Sequence, residues 1–148
     1  PLPLEGDVLD WGAGWGPIGT VIGALSPAAQ VVMAEINERA AGLAQANADR
    51  NGALSVEVIT GDALELAADR YFDVIVTNPP IHAGKKVIFN LIHDTRGRLR
   101  DGGDFWMVVR TRDGAKSYHA LLDELYPHVE RVAMRGGYRV LHASLPSV

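Results

Sequence analysis

The sequence predicts an α/β domain: a seven-stranded, mostly parallel sheet with helices on both faces and a C-terminal antiparallel hairpin. Three observations carry this. Short apolar, β-branched runs alternate with helical patterns five times along the chain. Five βα units call for parallel pairing through right-handed crossovers, with helices above and below the sheet. Two more strand patterns then follow one another across Arg135-Gly136-Gly137, a spacing that makes them a hairpin.

Taken in order, residues 7–10 form a short strand, followed by Trp11-Gly12-Ala13-Gly14-Trp15-Gly16. A helix over 17–25 starts on Pro17, which suits the first helical position, and stops at Ser26-Pro27. The second strand covers 30–34. Asn37 is a good N-cap for a long alanine-rich helix, 38–50, closed by Asn51-Gly52. The third strand is 55–60, and Asp62-Ala63-Leu64-Glu65 has the form of a capping box for one or two helical turns. The fourth strand, 72–77, ends in Asn78-Pro79-Pro80-Ile81. Helical spacing then runs from about residue 85 to 100, and Asp101-Gly102-Gly103 is expected to turn the chain into a fifth strand, 104–110. A helix over about 114–125 and the two hairpin strands, 128–134 and 138–144, complete the chain.

A length of 148 residues with 47% hydrophobic and 22% charged residues predicts one globular domain, 1–148. No apolar run approaches the ~18 residues a membrane helix needs, so no membrane partner is expected. The absence of cysteine excludes disulfides, thiol nucleophiles and thiolate metal sites. The five histidines show no ligand spacing, so no metal site is expected. There is no visible secretory signal and the first residue is Pro1, so the sequence reads as a fragment or trimmed chain with a cytoplasmic location. The net charge of −4 argues against a general nucleic-acid binder. Its division is uneven: residues 1–80 carry three Lys/Arg against eleven Asp/Glu, and residues 81–148 carry eleven against seven. That polarity suits a cationic cofactor and an anionic substrate.

Four strand ends carry the chemistry. Neither Pro79 nor Pro80 has an N–H to extend a ladder, so the fourth strand leaves as a stiff turn led by an amide. A plain turn and a ligand site both fit that segment alone. The loop after the first strand has glycines at 12, 14 and 16 behind Asp10, and Pro17 stands where a dinucleotide fingerprint needs its third glycine. Asp10 would oppose a phosphate there and favour an ammonium or sulfonium. Glu35, 19 residues after Gly16, is placed to accept ribose hydroxyls. Asp62 is an N-cap that retains lone pairs for an adenine amine. Of the cations after residue 80, Lys85 at a helix start and Arg110, Arg112 and Lys116 at the next strand-to-helix turn suit phosphate contact. Arg96, Arg98 and Arg100 read as solvated surface.

These residues resemble a class I S-adenosylmethionine-dependent methyltransferase, and Asn-Pro-Pro-Ile resembles the element of those that methylate a base amine or an amide nitrogen. Asn78-Pro79-Pro80-Ile81-His82-Ala83-Gly84-Lys85, Gly114-Ala115-Lys116-Ser117-Tyr118 and Gly136-Gly137-Tyr138-Arg139-Val140 together look like the small-subunit ribosomal RNA guanine-N2 methyltransferase family. The likeness covers nearly the whole chain. It implies a Rossmann-like sheet of order 3-2-1-4-5-7-6, S-adenosylmethionine as cofactor, and ribosomal RNA or the small ribosomal subunit as partner. By the same resemblance, Asp10, Gly12, Ala13 and Gly14 line the methionine end of the cofactor. Glu35 holds its ribose, Ile36 packs on the adenine, Asp62 and Ala63 bind the adenine edge, Asn78 also belongs to the cofactor-binding set, and Asn78 with the Pro79 carbonyl binds the target nitrogen. Asn78, Pro79, Pro80 and Ile81 form the catalytic element, with His82 and Lys85 on the substrate side.

Other expectations belong to the same resemblance. An adenine N6 or protein glutamine methyltransferase, or an inactive cofactor- or RNA-binding module, is the alternative. Trp11 and Trp15 stand in the glycine loop where the family more often has smaller residues. The family's segment before the first strand is expected to be missing, and a preceding domain of the same chain is a further candidate partner.

Overall fold

The computed structural model describes residues 2–66, 69–80 and 83–148. Its strands are β1 (Gly6–Trp11), β2 (Ala29–Glu35), β3 (Val56–Thr60), β4 (Phe72–Thr77), β5 (Leu99–Arg110), β6 (His128–Arg135) and β7 (Tyr138–Ser144). Its α-helices are α1 (Pro17–Leu25), α2 (Glu38–Arg50), α3 (Lys85–Arg98) and α4 (Ala115–Leu125). The seven strands form one sheet of order β3-β2-β1-β4-β5-β7-β6, as the resemblance implies. The first five pair in parallel; β7 runs antiparallel to both β5 and β6.

Strand periodicity divides the core into two layers, because successive side chains point to opposite faces. Val8, Val31, Met33, Val74 and Val76 pack with Ile22 of α1 and with Ala44 and Ala48 of α2. Their neighbours Leu9, Val32, Ile75, Phe105, Met107 and Leu141 pack with Ile88 and Ile92 of α3 and with Tyr118 and Leu122 of α4. Each large side chain buried this way contributes about 1.5–3 kcal/mol. The same alternation corrects one expectation. Trp11 follows Leu9 by two residues and so faces α3 and α4, where it is 6% exposed in the core rather than in the glycine loop.

Local signals decide several ends. The Asn37 side chain accepts the Ala40 amide at 2.9 Å and caps α2. Arg135 pairs with Tyr138, leaving Gly136 and Gly137 as a two-residue hairpin loop with φ of 58° and 80°. Positive φ at both positions is the condition for a turn whose twist matches that of its strands.

Most element ends lie within one residue of the sequence expectation; two boundaries differ by more. Helix α3 ends at Arg98, and Asp101-Gly102-Gly103 lies inside β5 instead of ending a loop. Phe72 pairs with Leu99 and Val74 with Asp104, so the extra residues form a bulge. The Gly102 amide donates to the Pro146 carbonyl and the Leu145 amide to the Gly103 carbonyl. These long-range bonds hold a turn-forming tripeptide in the sheet. The expected capping box is realised as a single 3₁₀ turn, Ala63–Glu65.

Candidate active site

Strand register brings the candidate residues to one edge. Trp11 pairs with both Ala34 and Thr77, and Glu35 pairs with Thr60. The residues that follow (Gly12, Ile36, Gly61-Asp62 and Asn78) therefore leave neighbouring strands side by side, at the carboxyl end where open α/β sheets bind ligands.

On the β1–β3 side, two carboxylates organise the glycine loop. Asp10 shares the Val8 face of β1 and points at the start of α1, where its Oδ2 accepts the Gly19 amide at 2.9 Å. That satisfies one of the free donors of a helix start. Asp10 is nevertheless 1% exposed. Burial pushes its carboxyl up to about 7; the Gly19 amide opposes the shift and the Glu35 charge adds to it. Glu35 spans the loop: Oε1 accepts the Gly14 amide at 2.7 Å and Oε2 accepts the Asn37 amide at 2.9 Å. Its own carbonyl takes the Gly61 amide at 2.8 Å, which ties the turn before Asp62 to β2.

The glycines of this region serve two purposes. At Gly12 and Gly14, with φ of 68° and 62°, an added Cβ would meet nothing within 4 Å, so the loop backbone borders open space. At Gly16 and Gly19 the space is filled by Ala44 of α2 and Met33 of β2. Helix α2 also holds the loop through Asn47, whose amide donates to the Trp15 carbonyl at 2.9 Å. Trp15 itself is 58% exposed. Ile36 is 69% exposed beside Glu35, an apolar surface left outside the core.

On the β4–β5 side, unequal strand lengths open a cleft. The prolines end β4 at Thr77, opposite Met107, whereas β5 runs three residues further to Arg110, paired with β7. The step encloses about 630 Å³, with Asn78, Pro79, Pro80 and Lys85 on one side and Val108, Val109, Arg110, Arg112 and Asp113 on the other. Tyr118 and Tyr138 also line it. Among the described residues, the Asn78 side chain makes no hydrogen bond, and neither Lys85 nor Arg112 forms a salt bridge. Arg110 Nε donates to the Tyr138 hydroxyl at 3.1 Å, with the guanidinium 5.5 Å from the ring centroid.

The predicted set thus falls into two adjoining groups. Asp10, Gly12, Ala13, Gly14, Glu35, Ile36, Asp62 and Ala63 sit around the first three strand ends. Asn78, Pro79, Pro80 and Lys85 sit in the cleft. Ile81 and His82 lie outside the described residues. The sequence reading missed Asp113, whose visible signal was an acid at the end of a β5-to-helix connection.

Of the arginines expected as solvated surface, Arg98 is buried, whereas Arg100 is exposed as expected and is held in surface ion pairs. Arg98 is 7% exposed and paired with Asp94 at 2.8 Å. Arg100 bridges Asp7 and Asp73 at 2.7 and 2.8 Å, at the opposite edge of the sheet from Asn78. Among the described residues, no group of three His, Cys, Asp or Glu is arranged to hold a metal, and no helix is long and apolar enough to cross a membrane.

The profile of the family described as "Methyltransferase small domain" matches residues 1–142. The chain belongs to that family. The methyltransferase small domain described here is 35% identical over 141 residues to the uncharacterized protein YbxB of Bacillus subtilis (strain 168), covering 95% of this chain and 70% of that one. It is 29% identical to the ribosomal RNA small subunit methyltransferase C of Pseudomonas syringae pv. syringae (strain B728a), covering 96% of this chain and 42% of that protein. Among solved structures, the T. thermophilus 16S rRNA N2 methyltransferase RsmC in complex with AdoMet and guanosine superposes with a TM-score of 0.82. It is 28% identical, over 94% of this chain and 37% of that one. This methyltransferase small domain therefore spans less than half of the named ribosomal RNA methyltransferases. Its sheet is the Rossmann-like sheet of S-adenosylmethionine-dependent methyltransferases.

Proposed function

We propose that this chain transfers a methyl group from S-adenosylmethionine to the exocyclic N2 amine of a guanine in small-subunit (16S) ribosomal RNA, in the cytoplasm. The observation that carries the reading is the uncommitted Asn78 side chain, set in a cleft with Lys85, Arg110 and Arg112 and next to the acid-lined glycine loop.

The first three strand ends fit the cofactor. Open space at Gly12 and Gly14 admits a ligand against the backbone, and the buried Asp10 carboxyl favours a cationic amino-acid end. Glu35 spends one hydrogen bond per oxygen on the loop and keeps lone pairs for ribose hydroxyls. Ile36 would pack on the adenine, with Asp62 and Ala63 at its edge.

S-adenosylmethionine supplies an activated sulfonium methyl, so the protein's task is position, which is worth up to ~7–11 kcal/mol. The guanine amine is a poor nucleophile because its lone pair is delocalised into the ring. Asn78 Oδ1 and the Pro79 carbonyl each accept one of its N–H bonds and hold the nitrogen toward a tetrahedral shape. Positive charge grows on that nitrogen as its new bond forms, so both acceptors bind the transition state more tightly than the ground state. The product ammonium is strongly acidic and loses its proton without a general base. Pro79 and Pro80 fix the carbonyl direction and remove competing donors. Ile81 and His82 complete the base-facing side of this reading, and Lys85 and Arg112 meet phosphates.

The test is incubation with tritium-labelled S-adenosylmethionine and 16S ribosomal RNA, as naked RNA and as assembled subunit, followed by nucleoside digestion and chromatography. Label in N2-methylguanosine is expected. Label on adenine N6 or on a protein glutamine would replace this reading, and a lack of cofactor binding by calorimetry would remove it.

A further inference from the structure

The Asn78 cleft contains one group that methyl transfer leaves unused. Asp113 lines the same cleft as Asn78 and Pro79, and its Oδ2 is buried without a hydrogen-bond partner among the described residues. An unpartnered buried acceptor is costly, more so when charged, and is uncommon enough to require a reason. Its position is well held. Asp113 closes the 3₁₀ turn Thr111–Asp113, and Gly114 follows at φ 104°, a conformation other residues rarely adopt, where a Cβ would crowd the Tyr118 ring at 3.2 Å. Thr111 is anchored in turn by its amide, which donates to the Gly137 carbonyl at 2.8 Å. The carboxylate also makes itself felt at its neighbours. It raises the Tyr118 phenol, after burial, and the Arg110 guanidinium, after Tyr138.

We propose that Asp113 accepts the N1–H of the target base and so selects guanine over the other amine-bearing bases. Guanine carries a donor, N1–H, beside its N2 amine. Adenine has a bare N1 lone pair beside its N6 amine, and cytosine has a bare N3 lone pair beside its N4 amine. An ionised carboxylate only accepts hydrogen bonds. Asp113 therefore rewards guanine and repels the lone pair that either competitor would present. With both N2 hydrogens on Asn78 and Pro79, N1–H is the donor left for the third acceptor of the cleft. A site built to bond a substrate N–H discriminates strongly against an analogue that lacks it, because its own polar group is then left unpaired. This assignment rests on the amine-clamp reading above.

The probe is 2-aminopurine riboside, which keeps the C2 amine and replaces N1–H by a bare nitrogen. Affinities of guanosine and of this analogue are measured by NMR titration on the protein saturated with S-adenosylhomocysteine, for the wild type, Asp113→Asn and Asp113→Ala. Wild-type protein is expected to prefer guanosine at least ~10-fold, since hydrogen bonds to charged groups are the stronger ones. Asp113→Ala should bring the two ligands within about 3-fold of each other by the same principle. Asp113→Asn should tighten 2-aminopurine riboside, because an amide offers a donor as well as an acceptor. Equal wild-type affinities, or no guanosine binding by the wild type, overturn the proposal without reference to any variant. An undiminished preference in a variant that still binds S-adenosylhomocysteine normally, or equal weakening of both nucleosides, overturns it as well. Label on guanine N2 in the ribosomal RNA assay, together with unchanged discrimination, would sink this assignment alone; label on adenine would sink the amine-clamp reading with it.

Discussion

The Thr77 hydroxyl donates to the Trp11 carbonyl at 2.9 Å, inside the protein, between the last paired residues of β4 and β1. Gly12 follows one partner and Asn78 the other. This side-chain hydrogen bond adds to the β1–β4 ladder in holding the glycine loop relative to Asn78. Thr77→Val keeps the shape and removes the donor. It should cost about 1 kcal/mol of stability, read as a lower urea midpoint with an unchanged slope, and lower turnover more than cofactor affinity.

Asn78→Ala addresses the clamp itself. Asn78 is exposed and makes no side-chain hydrogen bond among the described residues, so stability should hold. S-adenosylmethionine affinity by calorimetry should stay nearly intact while methyl transfer falls at least ~100-fold, the cost of one transition-state polar contact. Near-normal turnover would remove Asn78 from the mechanism.

Asp10 makes the stability of the glycine-loop region sensitive to pH. Its carboxyl titrates at about 7 in the folded protein, against 3.8 as its ordinary value. The folded state therefore binds more protons than the unfolded one between those values. The Asp10 contribution to stability is fully present below the unfolded pKa and is lost as pH rises toward 7, by at most ~1.4 kcal/mol per pH unit. Urea midpoints measured from pH 4 to 8 should fall more steeply for wild type than for Asp10→Asn. Cofactor affinity should run the other way, rising through pH 7 as the carboxylate that favours a cation forms. A flat affinity profile would separate Asp10 from the cofactor.

Gly19 seats α1 on β2. A methyl there would lie 2.5 Å from Met33 and 3.0 Å from Asp10 Oδ2, the atom its own amide binds. Gly19→Ala should destabilise by about 1–3 kcal/mol through overpacking and loosen the glycine loop with it. Gly12→Ala is the contrasting control: it adds a strained φ but no clash, so any loss in it beyond that strain is a loss at the ligand face.

What could be read from the chain was what local chemistry decides. Helix α2 and its Asn37 cap, Pro17 at the start of α1, and β4 ending against two prolines all emerged where the residues placed them. The start of β5 did not. Asp101-Gly102-Gly103 favours a turn by itself, and only its bonds to Leu145 and Pro146, some forty residues later, make it strand. Trp11 was misjudged because the glycine motif was read as a loop from its first residue, although strand alternation already placed that side chain beside Leu9. Asp113 was passed over because its meaning depends on β5 overrunning β4, a difference in length that pairing creates.

The sheet also has an order of assembly that its layout imposes. Strand β7 is the last of the described strands in sequence, yet it lies between β5 and β6, joining residues 104–110 to 138–144 and giving β6 its only strand partner among the described residues. Until Tyr138–Ser144 is made, β5 is an open edge and β6 has nothing to pair with. During synthesis, then, the β1–β4 half with its glycine loop can settle early, but the wall that carries Arg110 and Tyr138 waits for β7. A nascent or truncated chain stopped before β7 would expose an apolar strand edge and hold half of its site.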